Sequence, residues 1–107
     1  MIYNATLLRV DPPSPGSAGA DVSVRCTLVG LSAEQARLNE IEGWGATSVI
    51  YVPLRHAPSP RPVVACVALL RRDADSADTS WNVKQVIQRD GNTRTLDHMQ
   101  IYVAPAE

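Results

Sequence analysis

The sequence lacks an excess of charge of either sign. Among its 107 residues, 10 Lys+Arg stand against 11 Asp+Glu, which leaves a formal net charge of −1. A protein whose main role is to grip a phosphate backbone needs a basic face, because its binding depends on the release of counterions. The charge balance therefore argues against sequence-nonspecific binding of nucleic acid.

Long apolar runs are also missing. No run approaches the ~18 residues that would span a membrane, and the first residues, Met1-Ile2-Tyr3-Asn4, carry neither a basic patch nor an apolar leader segment. We expect a protein without membrane contact. Hydrophobic residues make up 45% and charged residues 20% of the chain, which predicts one folded domain over residues 1–107 with a core of its own.

Cysteine is scarce. Cys26 and Cys66 are the two cysteines, and each lies in an apolar, strand-like run without a Cys or His at metal-ligand spacing. We expect both to be buried free thiols that pack as small apolar side chains. A disulfide between them is the alternative.

The sequence motifs of common enzymes are absent. There is no glycine-rich phosphate loop, no histidine pair at helical spacing, no C-x-x-C and no G-x-S-x-G. Asp97 and His98 are adjacent, and neighbouring strand residues point to opposite faces, so a structural role is expected for His98. Asp73, Asp75 and Asp78 lack the glycine and glutamate of a calcium loop and indicate a solvated turn. We expect no catalytic residue, no cofactor and no metal.

What the sequence does contain is a series of strand-like segments. Residues 22–29 alternate, with Val22, Val24, Cys26 and Leu28 on one face. Residues 47–54 are apolar on both faces, and Asp90-Gly91 between two alternating runs is a strong hairpin signal. The six predicted strands are residues 3–10, 22–29, 47–54, 63–70, 81–89 and 94–103. This pattern predicts an all-β, mainly antiparallel fold: a small β-barrel or sandwich of about six strands with one short helix and extended loops.

One helix is predicted after the second strand. Ser32 and Gln35 have the spacing of a capping box, and Gly43 closes a helix of about ten residues. Its apolar positions, Leu38 among them, suggest a lid on the sheet.

Proline-rich segments predict flexible loops at 11–21 and 55–62. Such loops are either plain surface connections or segments that become ordered against a neighbouring subunit. The Gly43-Trp44-Gly45 turn likewise either closes the end of the core or presents a contact anchor. The candidate interface residues are Asp11, Pro12, Pro13, Ser14, Pro15, Trp44, His56, Pro58, Pro60 and Arg61.

Four arginines near predicted strand ends form a second group. They could gather into a basic rim that meets an acidic partner or passing DNA, or they could simply be solvated. These candidate rim or channel residues are Arg71, Arg72, Arg89 and Arg94.

The order of these elements and the residue pattern of their strands resemble a known family. Residues 24–28 followed by 31–35, then 49–54, and finally 81–86, 89–92 and 98–103 look like the head-closure (stopper) proteins of long-tailed bacteriophages. The likeness covers residues 22–103 and lies in strand pattern rather than in a catalytic fingerprint.

The resemblance implies a structural protein of the viral neck. In that family a small β-barrel forms a homo-oligomeric ring, here a hexamer or dodecamer, below the portal or adaptor protein. The ring continues the DNA channel, lets packaged DNA pass without specific binding, and offers a surface to the tail terminator or tube protein. The implied location is the virion neck, after assembly in the host cytoplasm, and no enzyme activity is implied.

Two alternatives stay open. Another tail-joining protein, a tail terminator or tail completion protein, would have similar size with more helix. A small β-barrel module for a peptide or ligand would use Trp44, Trp81 and Tyr51 to line a groove.

Overall fold

A computed structural model of the protein describes residues 3–12, 19–41, 43–56, 62–74, 77–89 and 98–106. Alternating apolar residues form strands, and the capped segment after the second strand forms the helix. The elements are β1 (Ala5–Asp11), β2 (Ala20–Gly30), α1 (Ala33–Ile41), β3 (Ser48–Pro53), a 3₁₀ turn (Leu54–His56), β4 (Val67–Arg72), β5 (Thr79–Arg89) and β6 (His98–Pro105).

The six strands close into a barrel. Their order around it is β1-β2-β3-β6-β5-β4, and every neighbouring pair is antiparallel. The predicted all-β, antiparallel fold with one short helix is confirmed. Because the barrel has six strands, β3 and β4 are three positions apart in either direction and lie on opposite sides of it.

Side chains fill the inside of the barrel. Side chains alternate between the two faces of a strand, except where a β-bulge shifts the register, as between Leu7 and Arg9 of β1. On the predicted inner face of β2, Cys26 and Leu28 are buried, whereas Val22 and Val24 are partly buried against the core. The strand residues of this core are Ala5, Leu7, Val10, Cys26, Leu28, Ile50, Val52, Ala68, Leu70, Trp81, Val83, Met99, Ile101 and Val103, and Cys66 joins them just before β4. Residues of β3 are buried on both faces, as predicted for residues 47–54.

The start of β4 differs from the prediction. The apolar run 63–70 was expected to be one strand, yet β4 begins at Val67. Residues 63–66 form a tight turn in which the Cys66 amide donates to the Val63 carbonyl at 3.1 Å, and Ala65 has a φ of 75°. The turn interrupts the run because the Cys66–Val63 hydrogen bond closes the backbone on itself at residues 63–66, before the pairing of β4 with β1 begins at Val67. The predicted start of the last strand, residues 94–97, lies outside the described residues.

The strands extend into the segment predicted as the first flexible loop. Asp11 belongs to β1, and residues 20 and 21 belong to β2. In the second loop segment, residues 54–56 form the 3₁₀ turn. The described part of both segments is thus more regular than the prolines and glycines indicated.

The barrel has two distinct ends. At one end, here called the helix end, lie Ala5, Gly30, Ser48, Arg72, Thr79 and Pro105. At the other, here called the loop end, lie Asp11, Ala20, Pro53, Val67, Arg89 and His98. The helix follows β2 at the first end, and both proline-rich segments leave the barrel at the second.

Candidate interaction surfaces

Helix α1 is held by the capping box that the sequence predicts. The Gln35 amide donates to Ser32 Oγ and the Ser32 amide donates to Gln35 Oε1, both at 3.2 Å. After the helix, Gly43 has a φ of 81°, and its amide donates to the Glu40 carbonyl at 3.0 Å. A glycine takes this left-handed conformation without steric cost, so the chain can turn sharply here.

The helix covers less of the sheet than a lid would. Val49 points away from the barrel interior and is still only 2% exposed, because residues from the helix segment and from two strands surround it. They line a cleft of about 100 Å³: Leu31, Gln35, Leu38, Val49, Tyr51 and Tyr102. Leu38 remains 52% exposed and Ile41 72% exposed. The lid prediction is therefore correct over Val49 and wrong for the outer part of the helix.

These exposed side chains define the helix patch: Val29, Leu38 and Ile41. Leu38 and Ile41 are three residues apart and lie side by side on the helix surface, and Val29 pairs with Val49 across β2 and β3. The exposed charged residues Glu34, Arg37 and Glu40 lie on the same helix. The patch is thus an apolar surface with two carboxylates and one guanidinium around it.

Trp44 lies on the outside of the barrel. Its ring centroid is 5.2 Å from that of Tyr102, whose side chain is partly buried, and Trp44 itself is partly exposed. Trp81 is the tryptophan that fills the core, and its Nε1 donates to Thr79 Oγ1 at 2.9 Å. Trp44 therefore does not plug the barrel. Its ring contacts Tyr102, which lines the cleft beside the helix patch.

A second apolar surface, here called the valine patch, consists of Val63 and Val64. They are 55% and 52% exposed, although they precede a strand and follow the buried Pro62. The turn is tied to β5, because the Ala65 amide donates to the Val83 carbonyl and the Val83 amide donates to the Cys66 carbonyl, both at 2.9 Å. The backbone thus holds both valines outward, on the β4 side of the barrel.

Three predicted interface residues lie at or near the loop end. Asp11 accepts a hydrogen bond from Arg9 at 2.6 Å, and this bond raises the pKa of the Arg9 guanidinium. Pro12 is half-buried and His56 is exposed at the end of the 3₁₀ turn. Outside the described residues lie Pro13, Ser14, Pro15, Pro58, Pro60 and Arg61.

The predicted basic residues lie at both ends of the barrel. Arg71 and Arg72 lie at the helix end, where they pair with Thr6 and Ala5 of β1. Arg89 lies at the loop end opposite His98, and Arg94 is outside the described residues. Arg71 Nε is 2.7 Å from Asp78 Oδ1, so its charge is already paired. Arg71 and Arg72 therefore do not gather with Arg89 into one rim.

Two acidic residues after β4, Asp73 and Asp78, serve as ion-pair partners. Both Asp73 oxygens accept from the Arg25 guanidinium at 2.6 Å, and this contact lowers the pKa of the Asp73 carboxyl. Asp78 accepts from Arg71, and Asp75 lies outside the described residues. Among the residues that the structure describes, no group of three or more His, Cys, Asp or Glu is placed to hold a metal ion.

An open cleft of about 330 Å³ lies beside β2. Its lining residues are Tyr3, Ser23, Val24, Arg25 and His56. Arg25 is already engaged by Asp73 and by Thr6 Oγ1 at 2.9 Å. The cleft therefore offers the exposed His56 ring rather than an uncompensated charge.

Both cysteines are buried and free, as predicted. Burial raises the pKa of the Cys26 thiol to about 12, which leaves the nucleophilic thiolate unpopulated near neutral pH. No described helix is long and apolar enough to cross a membrane.

The aromatic residues named for a ligand groove are separated. Trp81 is inside the barrel, whereas Tyr51 and Trp44 are on its outside, and the Tyr51 ring lies 5.8 Å from His98. His98 Nε2 is also 3.2 Å from Gln100 Nε2. These three aromatic side chains do not line one groove.

Sequence reasoning missed two features. Asn4 bridges to β2, since its Nδ2 donates to the Leu28 carbonyl at 3.0 Å and its Oδ1 accepts from the Leu28 amide at 2.8 Å. The valine patch was hidden inside an apolar run that is typical of a buried strand. The Asn4 bridge has no local signal, because it depends on how distant strands align. The valine turn has none because Ala65, rather than a glycine, occupies its positive-φ position.

Comparisons with protein-family models, with curated proteins and with solved structures found no match to this chain.

Proposed function

We propose that this protein is a structural subunit of a phage-type head–tail connector, of the head-closure (stopper) kind. It forms a homo-oligomeric ring, a hexamer or dodecamer, below the portal or adaptor protein in the neck of the virion, after assembly in the host cytoplasm. The ring continues the channel for packaged DNA without binding it specifically, and presents a surface to the tail terminator or tube protein. Its role is mechanical, and no catalytic step is assigned to it.

The observation that carries the proposal is where the apolar side chains lie. The inward side chains of the described strands, from Ala5 in β1 to Val103 in β6, pack into one buried cluster, as in small barrels whose interior is taken up by side chains. Further large apolar side chains stand exposed on the outside, in the helix patch and the valine patch. Contiguous exposed apolar patches, unlike single exposed residues, mark contacts with other proteins, and a ring subunit requires such contacts.

The charge distribution supports the same role. The chain has a net charge of −1, and three of its described arginines, Arg9, Arg25 and Arg71, are engaged by aspartates. Charges paired in this way do not attract a phosphate backbone strongly. A channel wall built from such a subunit lets DNA slide.

The alternatives receive less support. A tail-joining protein with a long helix on a sheet is disfavoured, because α1 has nine residues. A ligand-binding barrel is disfavoured by the filled interior and by the separation of Trp44, Trp81 and Tyr51.

The direct test is binding to DNA-filled, tailless heads of the phage whose genome encodes this protein. Purified protein is titrated onto the heads, which are sedimented, and bound copies per head are counted before purified tails are added. We expect saturation at a small fixed number, six or twelve for the proposed ring, followed by tail joining. A folded protein that never binds these heads overturns the proposal and favours the ligand-binding module.

A further inference from the structure

We infer that the helix patch of one copy docks on the valine patch of a second copy, so that the subunits associate head to tail. This inference rests on the proposed ring function. It adds which two surfaces of the chain meet, and it assigns both partners of the contact to this same chain.

The positions of the two patches carry the inference. The helix patch lies over β3, where Leu38 and Tyr51 line the cleft above Val49. The valine patch directly precedes β4, which is three strands from β3 in both directions. Two different patches on opposite sides of one subunit suit a heterologous contact, which forms a ring when its rotation closes. A twofold dimer would use one patch against itself and leave the other exposed.

The two patches are presented by different kinds of backbone. Leu38 and Ile41 project from a helix, and Ile41 is the most exposed large apolar residue described, at 72%. Val63 and Val64 lie on a turn that two backbone hydrogen bonds anchor to Val83. A backbone held in this way loses little conformational entropy on binding.

The charges around the patches are complementary. Glu34 and Glu40 outnumber Arg37 among the exposed charged residues of α1, whereas Lys84 follows Val83, the residue that anchors the valine turn. None of the three is in an ion pair with a described residue. In the proposed contact, the helix carboxylates face the Lys84 ammonium of the next copy, which favours this pairing over helix against helix.

Each contact is small and therefore weak on its own. A ring multiplies it, because a subunit held by one neighbour meets the next at high effective concentration. We therefore expect measurable self-association only at high protein concentration or on the head.

The first test uses two single variants that each disable one patch, Ile41→Asp and Val64→Asp, studied by sedimentation velocity at high concentration. Wild type is expected to form oligomers, each variant alone to stay monomeric, and an equimolar mixture to form a one-to-one heterodimer, since each partner retains one intact patch. If either Ile41→Asp or Val64→Asp self-associates like wild type, the inference is overturned. Unchanged urea midpoints confirm that both variants fold.

The second test captures the contact on the head. A double variant, Ile41→Cys with Val64→Cys, is bound to tailless heads and oxidised, and the products are separated without reductant. A series of disulfide-linked oligomers that extends to the full ring, seen as a ladder of bands, supports the inference. The native cysteines are buried and do not contribute. The matched control replaces Val64→Cys with Ser80→Cys, an exposed position at the helix end.

The outcomes separate the two claims. Bound heads without a ladder, or with an equal ladder from the control pair, overturn the head-to-tail contact and leave the connector role standing. Failure of the wild-type protein to bind heads overturns the connector role itself.

Discussion

Two isoleucines with the same side chain show how the inside and the outside of this barrel differ. Ile50 of β3 is fully buried, whereas Ile41 of α1 is 72% exposed. Ile50 pairs with Leu28 and Ile101 on the neighbouring strands and removes apolar surface from water in the folded monomer. Ile41 leaves most of its apolar surface in water. Stability is therefore carried by the inner residues, while the outer apolar residues remain free to contact another molecule.

The largest expected effect comes from truncating the inner isoleucine. Ile50→Ala leaves a cavity in a filled core and is expected to lower the free energy of unfolding by about 2–5 kcal/mol. The matched control Ile41→Ala is expected to change it by less than about 0.5 kcal/mol. Urea unfolding followed by tryptophan fluorescence measures both. Equal losses in the two variants would remove the distinction between inside and outside.

The buried thiol of Cys26 predicts how stability depends on alkaline pH. Its pKa is raised by burial from 9.0 to about 12, so the unfolded chain loses this proton before the folded one does. The thiol's contribution is fully present below pH 9.0 and is lost as pH rises toward 12. It amounts to about 4 kcal/mol at most, from 1.36 kcal/mol per pKa unit.

The measurement is the urea midpoint of wild type and Cys26→Ala across that pH window. We expect wild type to lose stability more steeply with rising pH than the variant, in which the thiol is absent. If the urea midpoints of wild type and Cys26→Ala fell with pH at the same slope, Cys26 would have the same pKa in the folded and unfolded chain.

A smaller loss of stability is expected at Asn4, which directly precedes β1. Asn4→Ala removes both side-chain hydrogen bonds to Leu28 and is expected to cost about 1–2 kcal/mol. Asn82→Ala is the control, since Asn82 lies on β5 and its side chain forms no hydrogen bond with a described residue. A loss at Asn4 no larger than that at Asn82 would show that the bridge to β2 is not stabilising.

The smallest effect is expected at the surface. Arg25 holds the pKa of the Asp73 carboxyl below its usual 3.8, so the contribution of this pair is present above that pH and is lost as pH falls below it. Asp73→Asn should be slightly less stable than wild type near neutral pH, because exposed ion pairs contribute little. Acid titrations of both proteins should show the difference shrinking below pH 3.8; a constant difference would argue against the ion pair.

Much of the fold could be predicted because its signals are local. The alternation around Cys26, the capping box of Ser32 and Gln35, and the hairpin between the last two strands each lie within one short segment. The strand predicted over residues 63–70 starts too early, because Ala65 occupies a turn position where a glycine would have been the expected signal. An alanine there leaves the apolar pattern of a strand intact.

The interaction surfaces were harder to predict because they depend on distant pairing. Whether Arg72 and Arg89 share a barrel end is decided by the register of several strands, not by either arginine's neighbours in sequence. The exposure of Ile41 likewise depends on how far α1 reaches over β3. The strand residues on either side of both proline-rich segments lie at the loop end, and most of each segment lies outside the described residues.

The central claim is that the outer apolar residues carry assembly while the inner ones carry stability. The most direct measurement is the binding of Ile41→Asp to DNA-filled, tailless heads, together with its urea midpoint. The account predicts a midpoint within error of wild type and loss of saturable ring formation on the heads. Binding at the same fixed copy number as wild type, followed by normal tail joining, would contradict it.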